Sequence, residues 1–576
     1  MNYKYIITQF DRFVLINIFS RRRPALTTIN TAVYNKKYFT RRGVQSMGFY
    51  LNPSDKGFWK SVRSEIYVDK TELIACTNKA INTEEQYICV SRPRRFGKSM
   101  ALKMLAAYYS CGCDSTDLFR GLKIENSETF REHLNQYNVI YLNMQQFMTQ
   151  AAHGQELEYL EQEVMEELLE EYGDLGYSKK RGLAGAFRKI YTKTQKQFIF
   201  LIDEWDCVIR ERQESETIQK QYLDFLRDLL KDQPYVALAY MTGILPVKKI
   251  RNPTKLDLHS ALNMFWEYSM TDPFDYEEYT GFTENEVRGL CERYGMDFAQ
   301  ISNWYDGYQF RQFRHIYNPR SVVAAMKSHV LSNYWTSTET YEALKVYIDM
   351  DFDGLRSDIV QMLGGARIKV NTFSFQNDMR NFETKDDVLT LLIHLGYLGY
   401  DAESREAFIP NKEIIGEFEN AMSVNGWANV MQILKASDQL LEDTLRGDAD
   451  RVASALDDAH TQAASILTYN DENSLSCAIG LAYYSARKEY RLIRELPAGK
   501  GYADIVFLPL PCVNKPALIV ELKYCKTAHA AIQQIKDRQY TQALEDYTGE
   551  ILMVGINYDK DRKDKPHSCV IERYRK

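Results

Sequence analysis

The chain has 576 residues, of which 45% are hydrophobic and 26% are charged. These proportions are typical of globular proteins, and they exclude a disordered chain, a collagen-like fibre and a membrane protein. The length predicts three or four domains. The net charge is −6, from 72 basic and 78 acidic residues, so any nucleic-acid site must be a local basic patch rather than a global basic field.

Apolar runs and cysteines bear on the location of the protein. No apolar run reaches the roughly 18 residues that span a bilayer, and residues 13–19 are too short for a signal-peptide core. The ten cysteines are scattered, and the close pair Cys111 and Cys113 lacks the spacing of a zinc site. We therefore expect reduced thiols in a cytoplasmic protein that makes no membrane contact.

Residues 1–46 form a segment of different composition, with nine Lys or Arg and one acidic residue. A basic arm, a transit-like peptide and an upstream extension all fit this composition. We favour the extension, because the residues from Met47 onward look like a natural beginning. The segment lacks the apolar periodicity needed to dock onto a core, so we expect it to have no ordered fold and to be dispensable for stability.

Strand-like apolar runs alternate with helical patterns in the next 200 residues. The runs are 87–90, 139–142, 198–202 and 236–241. Between them, residues 100–109 and the stripe Leu157, Leu160, Val164 and Leu168 have helical spacing. The alternation predicts an α/β domain at 47–255 with a mostly parallel sheet and helices on both faces.

A phosphate-binding loop is predicted between the first strand and the first helix. Gly97, Lys98 and Ser99 match the last three positions of the P-loop pattern, whereas Arg92 occupies the position of its first glycine. A strand before the loop and a helix after it would aim backbone N–H groups at a phosphate. Lys98 would then reach the β- and γ-phosphates, and the hydroxyl of Ser99 would bind Mg²⁺.

Carboxylates at the end of the 198–202 strand support the same interpretation. Asp203 is placed as the second Mg²⁺ ligand and Glu204 as the general base for water. Thr242 ends the next strand and is either a γ-phosphate sensor or a threonine without a role. Either motif alone arises often by chance, but together they predict binding of ATP. The predicted nucleotide contacts are Arg95, Phe96, Gly97, Lys98, Ser99, Met100, Asp203 and Thr242.

The remainder of the chain divides into two further predicted domains. Residues 256–455 are mainly helical and carry no recognisable catalytic spacing. Residues 456–576 read as a small α/β domain with a helix at 473–485 and a second helix from about residue 528. Its predicted strands are 490–492, 503–508 and 517–524.

Three charged residues in this last domain are predicted to share one sheet face. Glu521 and Lys523 are two positions apart, and a symmetric hairpin places Asp504 opposite Glu521. Two carboxylates among apolar neighbours suit Mg²⁺ or Mn²⁺, and Lys523 would orient or deprotonate a metal-bound water. Glu472 would complete the ligand set, with Gln534 and Tyr540 positioning the site. The alternative is an exposed edge-strand ion pair, worth about 0–1 kcal/mol.

These motifs resemble a family of bacterial and archaeal fusion proteins with an N-terminal AAA-ATPase-like domain and a C-terminal PD-(D/E)XK nuclease domain. The resemblance spans roughly residues 47–560. The family also has Arg at the first loop position, so Arg92 is a family trait. The sequence departs from the superfamily at Ala503, where Pro is frequent, and at Tyr502, where Arg is expected. The resemblance implies a P-loop NTPase fold followed by a restriction-endonuclease-like fold.

The function expected from the sequence is a metal-dependent nuclease under ATP control. Its partner would be nucleic acid, with DNA favoured, and the protein could form an oligomer. A rival hypothesis is a nucleotide-dependent signalling or assembly switch whose nuclease-like domain only binds nucleic acid or a partner. The intact set of Asp504, Glu521 and Lys523 favours the enzyme.

Overall fold

The computed structural model describes residues 48–574, with gaps at 174–181, 248–261, 273–274, 336–340, 351, 353, 376–381, 424–426, 464–471, 499–500, 511–512, 545–546 and 563–565. The predicted basic extension, 1–46, lies outside the described residues. Within the described ranges, no helix is both long enough and apolar enough to cross a membrane.

The first part of the described chain alternates strands and helices as predicted. Its helices and strands are α1 (Lys56–Val62), α2 (Glu72–Ala80), β1 (Tyr87–Ser91), α3 (Lys98–Tyr109), α4 (Phe130–His133), β2 (Asn138–Asn143), α5 (Met144–Gln150), α6 (Glu156–Tyr172), α7 (Gly182–Thr194), β3 (Phe198–Asp203), α8 (Cys207–Glu211), α9 (Glu216–Leu230), β4 (Val236–Gly243) and β5 (Trp266–Tyr268). The five strands form one parallel sheet in the order β2-β3-β4-β1-β5. This arrangement confirms the predicted parallel sheet.

The apolar strands are explained by a core on each face of this sheet. In β3, Phe198, Phe200 and Ile202 contact one core. Ile199 and Leu201 contact the other, because successive side chains of a strand point to opposite faces. A strand that is covered on both sides must be apolar at every position. The carboxylate of Asp203 is therefore placed where the strand leaves the core.

The middle region is mainly helical, as predicted, with two small antiparallel sheets added. Its helices and strands are β6 (Phe282–Thr283), α10 (Glu284–Tyr294), α11 (Phe298–Tyr305), β7 (Ile316–Tyr317), α12 (Pro319–Ser328), α13 (Tyr341–Ile348), α14 (Leu355–Leu363), β8 (Ile368–Lys369), α15 (Lys385–Leu395), β9 (Gly399–Asp401), β10 (Glu406–Phe408), α16 (Lys412–Met422), α17 (Ala428–Arg446) and α18 (Ala449–Ala463). Strand β6 pairs with β7, and β10 lies between β8 and β9.

The C-terminal part is a mixed α/β unit. Its helices and strands are α19 (Glu472–Ala482), β11 (Tyr490–Ala498), β12 (Gly501–Pro509), β13 (Ala517–Tyr524), α20 (Ala528–Asp537), β14 (Ile551–Tyr558) and β15 (His567–Tyr574). The sheet order is β11-β12-β13-β14-β15, and only the β13–β14 pair is parallel among the strands described. The sequence predicted three of these strands and missed β14 and β15.

A histidine cluster joins α18 to the end of this sheet. Asp457 accepts hydrogen bonds from the backbone N–H of His567 at 3.0 Å and from its Nδ1 at 2.7 Å. The ring of His460 lies 4.8 Å from that of Tyr558 and 5.4 Å from that of His567. Burial, with a smaller contribution from the charge of His567, lowers the pKa of His460 to about 4. The fold therefore prefers a neutral His460.

This preference predicts a loss of stability in mild acid. A histidine in the unfolded chain titrates near pH 6.5. The stability that the folded protein gains from a neutral His460 is therefore complete above about pH 6.5 and is lost as the pH falls towards 4. Allowing for the partial exposure of the side chain, we expect the loss to be about 1–2 kcal/mol. Urea unfolding at pH 7 and pH 5 measures it. The drop should be smaller in His460→Asn, and an equal drop in both proteins would contradict the prediction.

Candidate nucleotide and metal sites

The loop between β1 and α3 has the backbone shape of an anion cradle. Arg95 and Gly97 both have positive φ angles, of 69° and 91°. A Cβ atom built on Gly97 would meet no atom within 4 Å, so the space beside this residue is open. The first N–H groups of α3 have no partner within the helix, and such groups bind phosphate oxygens. The residues around Gly97 therefore fit a nucleotide phosphate.

Lys98 is held inside this loop. Its side chain is almost fully buried, and Nζ donates hydrogen bonds to the carbonyl oxygens of Arg92 at 2.9 Å and Pro93 at 2.8 Å. Burial lowers the pKa of Lys98 to about 8, while the nearby negative charges of Glu204 and Asp203 oppose the shift. The ammonium group is therefore still charged in most molecules at neutral pH.

Asp203 and Thr242 meet at the ends of β3 and β4. The Thr242 hydroxyl donates to Asp203 Oδ1 at 2.7 Å. The other oxygen of Asp203, Oδ2, is buried and has no hydrogen-bond partner among the described residues. A buried carboxylate oxygen without a donor is costly, and a divalent cation would satisfy it. Asp203 thus fits the predicted Mg²⁺ ligand, whereas contact of Thr242 with a γ-phosphate stays a prediction.

Glu204, the predicted general base, is oriented by a residue that the sequence analysis missed. Arg210 Nη2 donates to Glu204 Oε2 at 2.8 Å, and Arg210 Nε donates to Asp206 Oδ2 at 3.0 Å. The backbone of Glu204 has a φ angle of 52°, which is uncommon for a residue other than glycine. The spacing of four between Asp206, which directly precedes α8, and Arg210 of α8 was the available signal.

Arg92, at the atypical first position of the loop, has a structural role. Its side chain is fully buried, and Nη1 donates to the carbonyl of Tyr268 in β5 at 2.8 Å. Its guanidinium also lies over the ring of Phe310, with Cζ 4.5 Å from the ring centroid. Arg92 thus attaches the start of the loop to the edge strand and to the middle region.

The side chains of Arg95 and Phe96 also face the middle region. Arg95 Nη1 donates to the carbonyls of Tyr334 at 2.8 Å and Trp335 at 3.0 Å. Phe96 is buried and packs edge-to-face on Tyr308, with ring centroids 5.1 Å apart. These two side chains therefore face away from the predicted phosphate position, and contact of their backbone with a nucleotide stays a prediction. Met100 is 44% exposed, and Ser99 is the second residue of α3.

The predicted carboxylate pair of the C-terminal domain is present. Strands β12 and β13 are antiparallel, with Ile505 opposite Val520. The next position along places Asp504 opposite Glu521, as expected. Asp504 Oδ2 accepts a hydrogen bond from the backbone N–H of Leu522 at 2.7 Å. Lys523 Nζ donates to Glu521 Oε1 at 2.8 Å, so the three charged groups meet at one place.

Glu521 is the most constrained member of this group. It is buried, and Gln534 of α20 donates to its Oε1 and to the hydroxyl of Tyr540 at 3.2 Å. The other oxygen, Oε2, is buried without a hydrogen-bond partner among the described residues. Burial raises the pKa of Glu521 to about 7, and the negative charge of Asp504 adds to the shift. A bound cation would relieve both effects.

The donor set fits a hard divalent cation with two protein carboxylates. Across the residues that the structure describes, no group of three or more His, Cys, Asp or Glu could hold a metal ion. Mg²⁺ commonly uses one or two carboxylates and completes its shell with water, and Asp504 and Glu521 meet that requirement. Glu472 is the first residue of α19, but its side chain lies outside the described residues, so its role stays a prediction.

Two family models match the chain in the predicted order. The model described as predicted AAA-ATPase matches residues 59–251, and the model of the PD-(D/E)XK nuclease superfamily matches residues 471–567. The two matches confirm the predicted pairing of an N-terminal ATPase-like domain with a C-terminal nuclease-superfamily domain. They contain, respectively, the loop with Lys98 and the pair formed by Asp504 and Glu521.

Comparison with individual proteins gives more distant similarities. An uncharacterised protein from the vnfD 5′ region of Azotobacter chroococcum mcd 1 is 27% identical over 288 residues, which are 48% of this chain and 51% of that protein. The chain thus spans about half the length of this curated relative. The Walker-type ATPase PABY2304 of Pyrococcus abyssi is 12% identical, with a TM-score of 0.31 over 61% of this chain and 94% of that one. The Aeropyrum pernix ORC2 protein is 11% identical, with a TM-score of 0.28 over 64% and 97%.

Proposed function

We propose that this chain, in which an AAA-ATPase-like domain precedes a domain of the PD-(D/E)XK nuclease superfamily, is a metal-dependent nuclease controlled by bound ATP. The observation that carries the proposal is the pairing of β12 with β13. It brings Asp504, Glu521 and Lys523 together, and one buried oxygen of Glu521 has no hydrogen-bond donor among the residues that the structure describes. Nucleic acid, with DNA favoured, is the proposed substrate.

The residues of the C-terminal site have separate tasks in phosphodiester hydrolysis. Mg²⁺ or Mn²⁺, when bound, lowers the pKa of its water and offsets the charge that develops on the phosphate. Asp504 and Glu521 would hold the cation, while Gln534 and Tyr540 keep Glu521 in place. Lys523 would either orient the attacking water through the N–H groups of its ammonium or, in the neutral amine form, take up the proton of that water. Lys523 is suited to this task because it is buried and fixed by Glu521 and the carbonyl of Leu522, the latter at 2.8 Å.

The N-terminal site would bind ATP with Mg²⁺. The amides near Gly97 and the Lys98 ammonium would hold the phosphates, and Ser99 with Asp203 would hold the cation. Glu204 would orient and deprotonate the water that attacks the γ-phosphate, with Arg210 fixing its position.

A continuous set of contacts offers a route for nucleotide control. Arg95 of the loop holds the carbonyls of Tyr334 and Trp335, and the N–H groups of the same two residues donate to Glu413 of α16 at 2.8 and 3.0 Å. Further along α16, Glu419 accepts a hydrogen bond from the hydroxyl of Tyr484, which follows α19. Helix α16 thus contacts both residues 334 and 335, which bind Arg95 of the loop, and Tyr484 of the nuclease-superfamily domain. We propose that it transmits the nucleotide state of the loop to that domain.

This route predicts that Arg95→Met uncouples the two sites. The substitution removes the hydrogen bonds to residues 334 and 335 but leaves the backbone of the loop. We expect ATP binding within about threefold of the parent, and DNA cleavage in Mg²⁺ whose rate no longer responds to ATP. Arg94→Met, a change in the exposed neighbour, is the matched control and should keep the response. An unchanged ATP response in Arg95→Met would contradict the proposed route.

A further inference from the structure

A cleft of about 1550 Å³ lies between the middle region and the edge of the C-terminal sheet. Helices α11 and α16 line one side, and β11 with the end of β12 lines the other. Neither the loop with Lys98 nor the group of Asp504, Glu521 and Lys523 contributes to its walls. The cleft is therefore separate from both proposed sites.

One wall of the cleft carries a half-buried arginine that has no counter-ion among the described residues. Arg487 follows α19, in the 3₁₀ turn Tyr484–Lys488. Its Nε and Nη2 atoms are buried and have no hydrogen-bond partner among the described residues. Its guanidinium lies over the ring of Tyr484, with Cζ 5.7 Å from the ring centroid. A desolvated and unpaired guanidinium is costly.

A second arginine faces the same place and adds to this cost. Arg494 of β11 donates from Nη2 to the carbonyls of Gly364 at 3.2 Å and Ser476 at 2.8 Å, and its Nε is buried without a partner among the described residues. Burial lowers the pKa of Arg487 to about 10, and the positive charge of Arg494 adds to this shift. Neither arginine pairs with a carboxylate in the described structure.

Glycines make room for the two guanidinium groups. A Cβ atom on Gly365 would lie 2.8 Å from Arg487 Nη2 and 3.7 Å from Arg494 Nε. A Cβ atom on Gly480 would lie 2.9 Å from Arg494 Nη2. Gly365 also has a φ angle of 93°, a conformation that side-chain-bearing residues rarely adopt. The backbone at these glycines thus leaves room for the two guanidinium groups to lie close together, although their positive charges repel each other.

We propose that Arg487 and Arg494 form a binding site for a phosphate dianion, the terminal phosphate of either a nucleotide or a nucleic-acid strand. Two adjacent guanidinium groups carry two positive charges. A phosphate monoester dianion neutralises both, whereas a phosphodiester, with one negative charge, neutralises only one. The N–H fork of arginine matches phosphate oxygens. The cleft exceeds the about 300–1,000 Å³ of a usual small-ligand pocket, so it has room for the sugar and base that carry the phosphate. This site does not depend on the proposed nuclease function.

Phosphate binding is measured in the full-length Lys98→Ala protein with EDTA present, so that binding at the loop is weakened and no divalent metal contributes. Inorganic phosphate, exchanged for chloride at constant ionic strength, should raise the melting temperature by about 2 °C or more in a saturable way. Adding Arg487→Met should remove this rise without lowering the melting temperature in chloride, because an unpaired buried charge is lost. Arg288→Met is the matched control, since Arg288 lines the same cleft but already pairs with Glu284 at 2.5 Å.

Three ligands then distinguish the sources of the phosphate. A single-stranded oligonucleotide with a 5′-phosphate that binds at least about tenfold more tightly than its 5′-hydroxyl counterpart identifies a strand end. Binding of ATP without such discrimination identifies a nucleotide. If Arg487→Met fails to fold, Arg487→Lys replaces it and should weaken binding, because lysine keeps the charge but loses the fork. No response of the Lys98→Ala protein to phosphate, ATP or either oligonucleotide would overturn the proposal.

Discussion

Asp504→Asn should abolish cleavage that depends on a divalent cation and leave ATP binding unchanged. The amide keeps the shape of the side chain and can still accept the hydrogen bond from Leu522 N–H, so the fold is preserved. It removes one of the two charges that would hold the cation. Loss of a residue that merely supports a metal ligand costs about 10–100-fold, so loss of a ligand should cost at least about 100-fold in rate. Plasmid cleavage in Mg²⁺ and Mn²⁺ measures the effect.

Lys523→Ala provides the matched control within the same site. It removes the group proposed to act on water but keeps both carboxylates, so we expect metal binding to persist while most of the rate is lost. Calorimetric titration with Mn²⁺ separates the two variants, because only Asp504→Asn should weaken the binding of Mn²⁺. Cleavage by Asp504→Asn at the parent's rate would show that the pair of Asp504 and Glu521 is not the metal site.

Lys98→Ala should weaken ATP binding by about 100-fold or more. A hydrogen bond to a charged group contributes about 1.5–3 kcal/mol, and the substitution also removes a positive charge next to the proposed phosphate site. Glu204→Gln should instead bind ATP like the parent and hydrolyse it slowly, because only the deprotonation of water is impaired. Titration with a fluorescent ATP analogue and a phosphate-release assay measure the two effects. Parent-like ATP binding by both variants would contradict the assignment of the loop.

The local parts of both sites were predictable because they rest on periodicity within a few residues. Buried parallel strands are continuous apolar runs, which placed Asp203 at the end of β3. The two-residue repeat of a strand placed Glu521 and Lys523 on one face, and hairpin symmetry placed Asp504 opposite. In each case the candidate site residue lies at a position that is set by the strand's alternation of side chains or by the end of an apolar run.

Contacts between distant parts of the chain could not be predicted in this way. Arg95 binds the carbonyl of Trp335, 240 residues away, and Arg494 binds that of Gly364, 130 residues away. No local pattern identifies such partners, so the sequence predicts Arg95 as a nucleotide contact and gives no role to Arg487. Strands β14 and β15 are a different case. Residues 551–554 are apolar and fully buried, so the signal for β14 was present in the sequence.

The most direct test of the central claim is cleavage of supercoiled plasmid by the parent protein, followed in time with Mg²⁺ or EDTA and with or without ATP. We expect cleavage only when the divalent cation is present, and a cleavage rate that changes when ATP is added. If the protein binds DNA and ATP but cuts no phosphodiester bond with Mg²⁺ or Mn²⁺, with or without ATP, the nuclease assignment is wrong, and a nucleotide-dependent binding switch replaces it.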